Sequence, residues 1–174
     1  MGAAIALRIA VTRPELVKGL ILARPAWVDQ PAPANMAPNL EAGQLLREHD
    51  PDAALRAFDR SDTARRLAGV APDNLASLRG FFARQPIAVT AALLLAIAAD
   101  GPGVSRASIA AINIPTLVIG HGRDAIHPLA MARELAGLIP GARFAEITAK
   151  AENVAGYRQD FEAALAGFLK DFGP

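Results

Sequence analysis

This 174-residue sequence predicts an α/β fold: a parallel sheet of three short strands, flanked by helices and interrupted by a helical insertion. Three observations carry that reading. Two short apolar runs, Leu20-Ile21-Leu22-Ala23 and Thr116-Leu117-Val118-Ile119, are each bounded by turn or breaker residues, as buried strands are. The chain between them, residues 29–113, shows helical pieces and no strand signal. After residue 114 the order is strand, helix, strand, helix with short loops, which implies right-handed parallel crossovers.

The elements are taken in chain order. Residues 1–11, rich in Ala, Ile and Leu with Arg8 as the only charge, suit a helix buried on most sides. Thr12-Arg13-Pro14 stops it, and a short connector leads to the strand Leu20–Ala23. Pro31, Pro33 and Pro38 make the start of the insertion irregular. Amphipathic helices are expected at 40–47, 52–58, 63–68 and 75–82, with Asp50 as an N-cap before Pro51. Ile87–Ala99 reads as a helix apolar almost all round, ended by Asp100-Gly101-Pro102-Gly103. One or two helical turns are expected over 105–111. Pro128 opens a helix over 128–138, and Pro140-Gly141 closes it. Residues 142–147 alternate apolar and polar, the pattern of an outer strand. Tyr157, Phe161, Leu165, Phe168 and Phe172 then share one face of a last helix.

Composition narrows the function classes. At 52% hydrophobic and 20% charged residues the chain is globular, and it is long enough to bury a core. A net charge of +1 gives no reason to invoke nucleic acid or a membrane surface. With no cysteine, thiolate chemistry and disulfides are excluded, and a metal would need His and carboxylates alone. The longest apolar run, Ile87–Ala99, is too short for a bilayer core of about 30 Å. The first ten residues lack a basic lead and carry Arg8, unlike a signal peptide. A cytoplasmic location is the expectation.

The stretch 114–128, IPTLVIGHGRDAIHP, is where chemistry is expected. Asp124 and His127 come just past the carboxyl end of a buried strand, the end at which ligands bind in open α/β sheets. The plain alternative is a loop aspartate that caps the helix near Pro128 and a histidine that packs the loop. His121 is expected to face solvent or to hydrogen-bond within its turn.

Residues 1–27, MGAAIALRIAVTRPELVKGLILARPAW, resemble the segment just after the nucleophile in the α/β-hydrolase fold, and VIGHGRDAIHP resembles that family's acid-bearing loop. The resemblance covers essentially the whole chain as the second half of that fold. It implies a partial sheet made of the family's last three strands. Residues 1–28 and 114–174 would then be core, and 29–113 a helical cap. Asp124 matches the acid position. The family carries G-x-S-x-G on a strained strand-to-helix turn. On that motif Met1 falls one residue after the serine, at the position of an oxyanion donor, and the serine itself falls before the chain begins.

The base departs from the family pattern. The resemblance places a histidine in the loop after the last strand, which here reads Thr148-Ala149-Lys150-Ala151-Glu152-Asn153. Glu152 stands at that position, and no histidine occurs after His127. A carboxylate is a far weaker base than imidazole toward a serine hydroxyl. His127 is the alternative base, weighed against a packing role. A metal site from Asp124 and His127 has no ligand spacing behind it, and no cofactor is implied.

The functional expectation is an esterase-type acyl hydrolase, truncated and inactive as given, acting on a small ester-like substrate where the full fold is present. The alternative is a non-catalytic hydrolase-fold binding protein or remnant. Leu20–Ala23 is expected to lack a partner strand on one side, and self-association through that edge is the expected consequence.

Overall fold

The computed structural model describes residues 1–172. Its first elements are α1 (Gly2–Thr12), β1 (Leu20–Ala23), α2 (Ala37–Glu48), α3 (Pro51–Asp59), α4 (Asp62–Val70), α5 (Pro72–Phe81) and α6 (Ile87–Ala99). Then come α7 (Arg106–Ala110), β2 (Thr116–Gly120), α8 (Leu129–Leu138), β3 (Arg143–Glu146) and α9 (Val154–Leu169). They group into two compact units. One holds Met1–Asp29, Pro102–Arg123 and the chain from His127 onward; the other holds Gln30–Gly101 with Asp124–Ile126.

The first unit is built on a parallel sheet in the order β1-β2-β3. β1 pairs with β2 from Leu20 opposite Thr116 to Ala23 opposite Ile119. β2 pairs with β3 from Leu117 opposite Arg143 to Gly120 opposite Glu146. Side chains of a strand alternate between faces, and two apolar clusters divide accordingly. Leu20, Leu22 and Val118 pack with Leu7 and Ala10 of α1, Ile109 of α7, and Ala132 and Leu135 of α8. Leu117 and Ile119 pack on the opposite face with Phe168 of α9, joined by Ile21, Tyr157 and Phe161. Helices therefore cover both faces, and β2 is buried at every position. A central strand covered on both sides has no face left for polar residues, hence its continuous apolar run. Burying a side chain such as Val118 or Ile119 contributes about 1.5–3 kcal/mol each. β3, an edge strand, is mostly exposed, and its Glu146 accepts from Arg133 at 2.6 Å.

The second unit is helical. α2 lies on α6, and Gly43 makes the approach possible. A Cβ there would stand 3.0 Å from Leu94 Cβ and 3.1 Å from the Leu95 nitrogen. Phe58, fully buried, packs against Phe82 with ring centroids 5.4 Å apart. Two helices start as their sequences dictate: Asp50 accepts from the Ala53 N–H at 3.0 Å, and Ser61 from the Ala64 N–H at 3.1 Å. These caps satisfy donors that have no intrahelical partner.

Residues 102–113, expected from the sequence to belong to the insertion, lie in the first unit. Val104, Ile109 and Ile112 belong to the cluster that packs α1 and α8 on the sheet. Conversely, Asp124–Ile126 group with the helical unit although they come after β2 in the chain. Among the described residues no helix is long and apolar enough to cross a membrane.

Candidate functional site

The parallel strands end together, and the turns that leave them are sharp. Arg24 after β1 and Arg123 after β2 both adopt left-handed backbone, with φ of 49° and 54°. For residues with a Cβ this costs about 1–2 kcal/mol, so each turn is held by its surroundings. Gly120, the last residue of β2, cannot carry a side chain cheaply: a Cβ would sit 2.8 Å from the Ala132 Cβ of α8. The close approach of α8 to β2 thus fixes where the next loop begins.

His121 is next, and it is only 3% exposed. Its Nδ1 lies 2.5 Å from the Gly122 carbonyl. A carbonyl can only accept, so Nδ1 carries the proton. The ring stands edge-on to Tyr157 of α9, centroids 5.6 Å apart. The expectation of a bond within the turn holds, and that of solvent exposure does not: the ring is buried, edge-on to Tyr157.

Asp124 lies three residues further on and is only 7% exposed. The backbone just after it is held by side chains of the helical unit. Asn74 Oδ1, in the first turn of α5, accepts from the N–H of Ala125 at 2.6 Å and of Ile126 at 3.3 Å. Asn35 Nδ2 donates to the Ile126 carbonyl at 2.7 Å. Neither asparagine is visible as functional in the sequence. They lie 51 and 91 residues from their partners, and no local spacing announces such pairs.

His127 is partly buried in the first unit, where Arg24 Nη2 lies 3.4 Å from its Nδ1. Guanidinium has no acceptor, so it donates, and in this pairing His127 carries its proton on Nε2. A serine base needs an acceptor nitrogen turned to the hydroxyl; the acceptor of His127 faces an arginine.

The loop after β3 is organised locally. Thr148 donates to Asp160 Oδ2 twice, from its hydroxyl at 2.6 Å and its N–H at 2.9 Å. Those two bonds, the hydroxyl's foremost, hold the Asp160 carboxyl below the usual carboxylate range. Asn153 caps α9 by accepting from the Gly156 N–H at 3.0 Å. Glu152 sits in the intervening turn, exposed, its N–H donating to the Ala149 carbonyl at 2.9 Å.

The serines have other work. Ser61 and Ser105 cap α4 and α7, Ser108 donates to the Ser105 carbonyl at 2.8 Å, and Ser77 lies exposed on α5. None stands at a strand-to-helix turn. Met1 precedes α1, and its carbonyl accepts from the Ile5 N–H at 3.1 Å. Among the described residues no group of three His, Asp or Glu is placed to hold a metal ion.

No protein-family model and no curated protein matches this sequence. Solved structures do. An enol-lactonase from Burkholderia xenovorans is 24% identical over 95% of this chain and 63% of its own, with a TM-score of 0.60. An acetylester hydrolase from Corynebacterium glutamicum is 17% identical over 98% and 59%, with a TM-score of 0.67. An α/β hydrolase from a Medee basin deep-sea metagenome library is 16% identical over 97% and 62%, with a TM-score of 0.65. The chain spans about three fifths of the length of these structures. At such identities the likeness speaks for architecture, and the architecture is plain: this chain has the α/β-hydrolase fold, over the portion that it shares with those structures.

Proposed function

We propose that this chain is the acid-bearing, cap-carrying portion of a serine-type acyl hydrolase of the esterase kind, with Asp124 as the acid, and that it does not hydrolyse esters by itself. One observation carries the reading. A buried aspartate lies past the carboxyl end of the central strand, and the next two residues are tied down by side chains. In serine hydrolases the acid holds the histidine in one tautomer and stabilises the imidazolium that forms. Such a group must be fixed, because misplacement by about 1 Å can cost roughly 10²-fold in rate. Residues 30–101 are read as the cap. The substrate class is a small ester-like molecule, and a cytoplasmic location remains part of the proposal.

The sequence contains no G-x-S-x-G and no histidine after His127, so the nucleophile and the family's usual base have no counterpart among these residues. The test is to read the codons in frame upstream of Met1 and to assay the longer product on an activated ester. An upstream G-x-S, with activity that falls about 10⁴-fold in Asp124→Asn, is the expected result. An active longer product indifferent to Asp124→Asn would remove the acid assignment.

A second reading, a hydrolase fold kept for binding or left as a remnant, draws support from Glu152. It occupies the expected histidine position, is exposed, and makes no side-chain hydrogen bond with a described residue. An in-frame stop codon or unrelated sequence upstream would favour it.

Self-association belongs to the proposal as well, through a second copy of this chain. β1 pairs only with β2 among the described residues, and α1 beside it exposes Ile5 and Ile9. An uncharged strand edge next to an apolar helix face invites pairing with its like. Light scattering that finds a monodisperse monomer at high concentration would dismiss this.

A further inference from the structure

A backbone N–H buried in a loop has no ladder to pair with and must find a side chain or water. After Asp124 the chain meets that requirement in an unusual way. Asn74 is only 4% exposed, and its single Oδ1 takes the N–H groups of two consecutive residues, Ala125 and Ile126. An amide oxygen has two lone pairs, so one atom can serve both. Asn35 completes the tether by donating to the Ile126 carbonyl. Three backbone groups directly after Asp124 are thus held by two asparagines, and all these residues lie within the helical unit.

We infer that Asn74 is a positioning residue for Asp124. It sets the place of the carboxylate by fixing the two residues after it, with Asn35 as the second tether. This rests on reading Asp124 as the acid. The chemistry at Asn74 is specific: an acceptor of two diverging N–H donors is required at that point. Leucine has the same size and no acceptor. Aspartate keeps both lone-pair directions. A role in packing alone would be served better by leucine than by aspartate; a role in positioning reverses that order.

The test compares Asn74→Leu and Asn74→Asp with the wild-type 174-residue protein by amide hydrogen exchange. In Asn74→Leu, exchange at Ala125 and Ile126 should rise between about 5- and 150-fold, the range for orphaning a buried donor. Amides of Leu117, Val118 and Ile119 should hold their wild-type rates, and the Asp124 carboxyl carbon should change its chemical shift. Asn74→Asp should restore protection at both loop amides. Unchanged exchange at Ala125 and Ile126 in Asn74→Leu, or a rise shared equally by β2, would overturn the inference. Should Asn74→Leu not fold, the wild-type protein decides: unprotected amides at Ala125 and Ile126 would overturn it equally. The exchange experiment needs no substrate, so its failure removes the tether and leaves the hydrolase reading standing. A protected loop combined with an active longer product indifferent to Asp124→Asn would overturn the positioning role while the tether survived.

Discussion

Two loops leave the same end of one parallel sheet, and they are built on opposite plans. The loop after β2 is buried at Asp124, and the backbone beyond it is held by Asn74 and Asn35 from 51 and 91 residues away. The loop after β3 is exposed at Glu152 and is held by neighbours. Thr148 bonds Asp160 twelve residues on, and Asn153 caps the helix that it begins. The first loop depends on long-range structure; the second needs little beyond α9. On the proposed reading, the first loop carries the acid and the second stands where the base is expected. Here the chain after Asp124 is tied by distant side chains, and the loop that holds Glu152 is ordered only by its neighbours.

The largest effect should come from the core of the helical unit. Phe58 is fully buried, and Phe58→Ala should cost about 3–5 kcal/mol in denaturant unfolding. Exchange should rise at Ala125 and Ile126 well before it rises at Thr148. Equal loosening of both loops would break the contrast. Next, Asn153→Ala removes the α9 cap and should cost about 1 kcal/mol. Fraying should stay within the first turn of α9 and spare Ala125 and Ile126.

The loop after β3 should also respond to acid. The Asp160 carboxyl titrates below its ordinary value in the folded protein because Thr148 donates to it twice. A group with a lowered native pKa contributes stability that is present above its unfolded pKa, about 3.9. That contribution is lost as pH falls through the lower native value. Protection of the Thr148 amide should therefore be flat from neutrality to about pH 4 and decline below it. A decline near pH 6–7 would point to another group. Asp160→Asn should flatten the acid-dependent step. Smallest of all, Glu152→Ala should change stability by less than about 0.5 kcal/mol, since an exposed side chain without partners has little to lose.

Much of the architecture is legible in the sequence, and the reason differs by element. Leu20–Ala23 and Ile87–Ala99 are read to the residue, because breakers flank short runs of unmixed apolar character. Helix α2 begins at Ala37, three residues before its amphipathic pattern does: Pro38 sits in the first turn, where it costs no hydrogen bond. The grouping of residues 102–113 with the sheet comes from where Ile109 and Ile112 pack, and an apolar residue in the sequence does not name its partner. Asp124 can be singled out by its position after a buried strand. The groups that hold its loop cannot. Asn74 and Asn35 are ordinary polar residues of a helical stretch until the fold brings Ala125 and Ile126 against them. A side chain that serves a distant backbone leaves no period and no motif.

The most direct test of the central claim is intact-mass analysis of the purified 174-residue protein after incubation with a serine-directed phosphonate, alongside turnover of an activated ester. Losing one triad member leaves about 10³–10⁴-fold catalysis over water only where the rest of the site stands, and these residues include neither the nucleophile turn nor a histidine in the loop after β3. An unmodified mass and no ester cleavage above background are the predicted result. A stoichiometric adduct on Ser61, Ser77, Ser105 or Ser108, with a matching burst of ester cleavage, would contradict it.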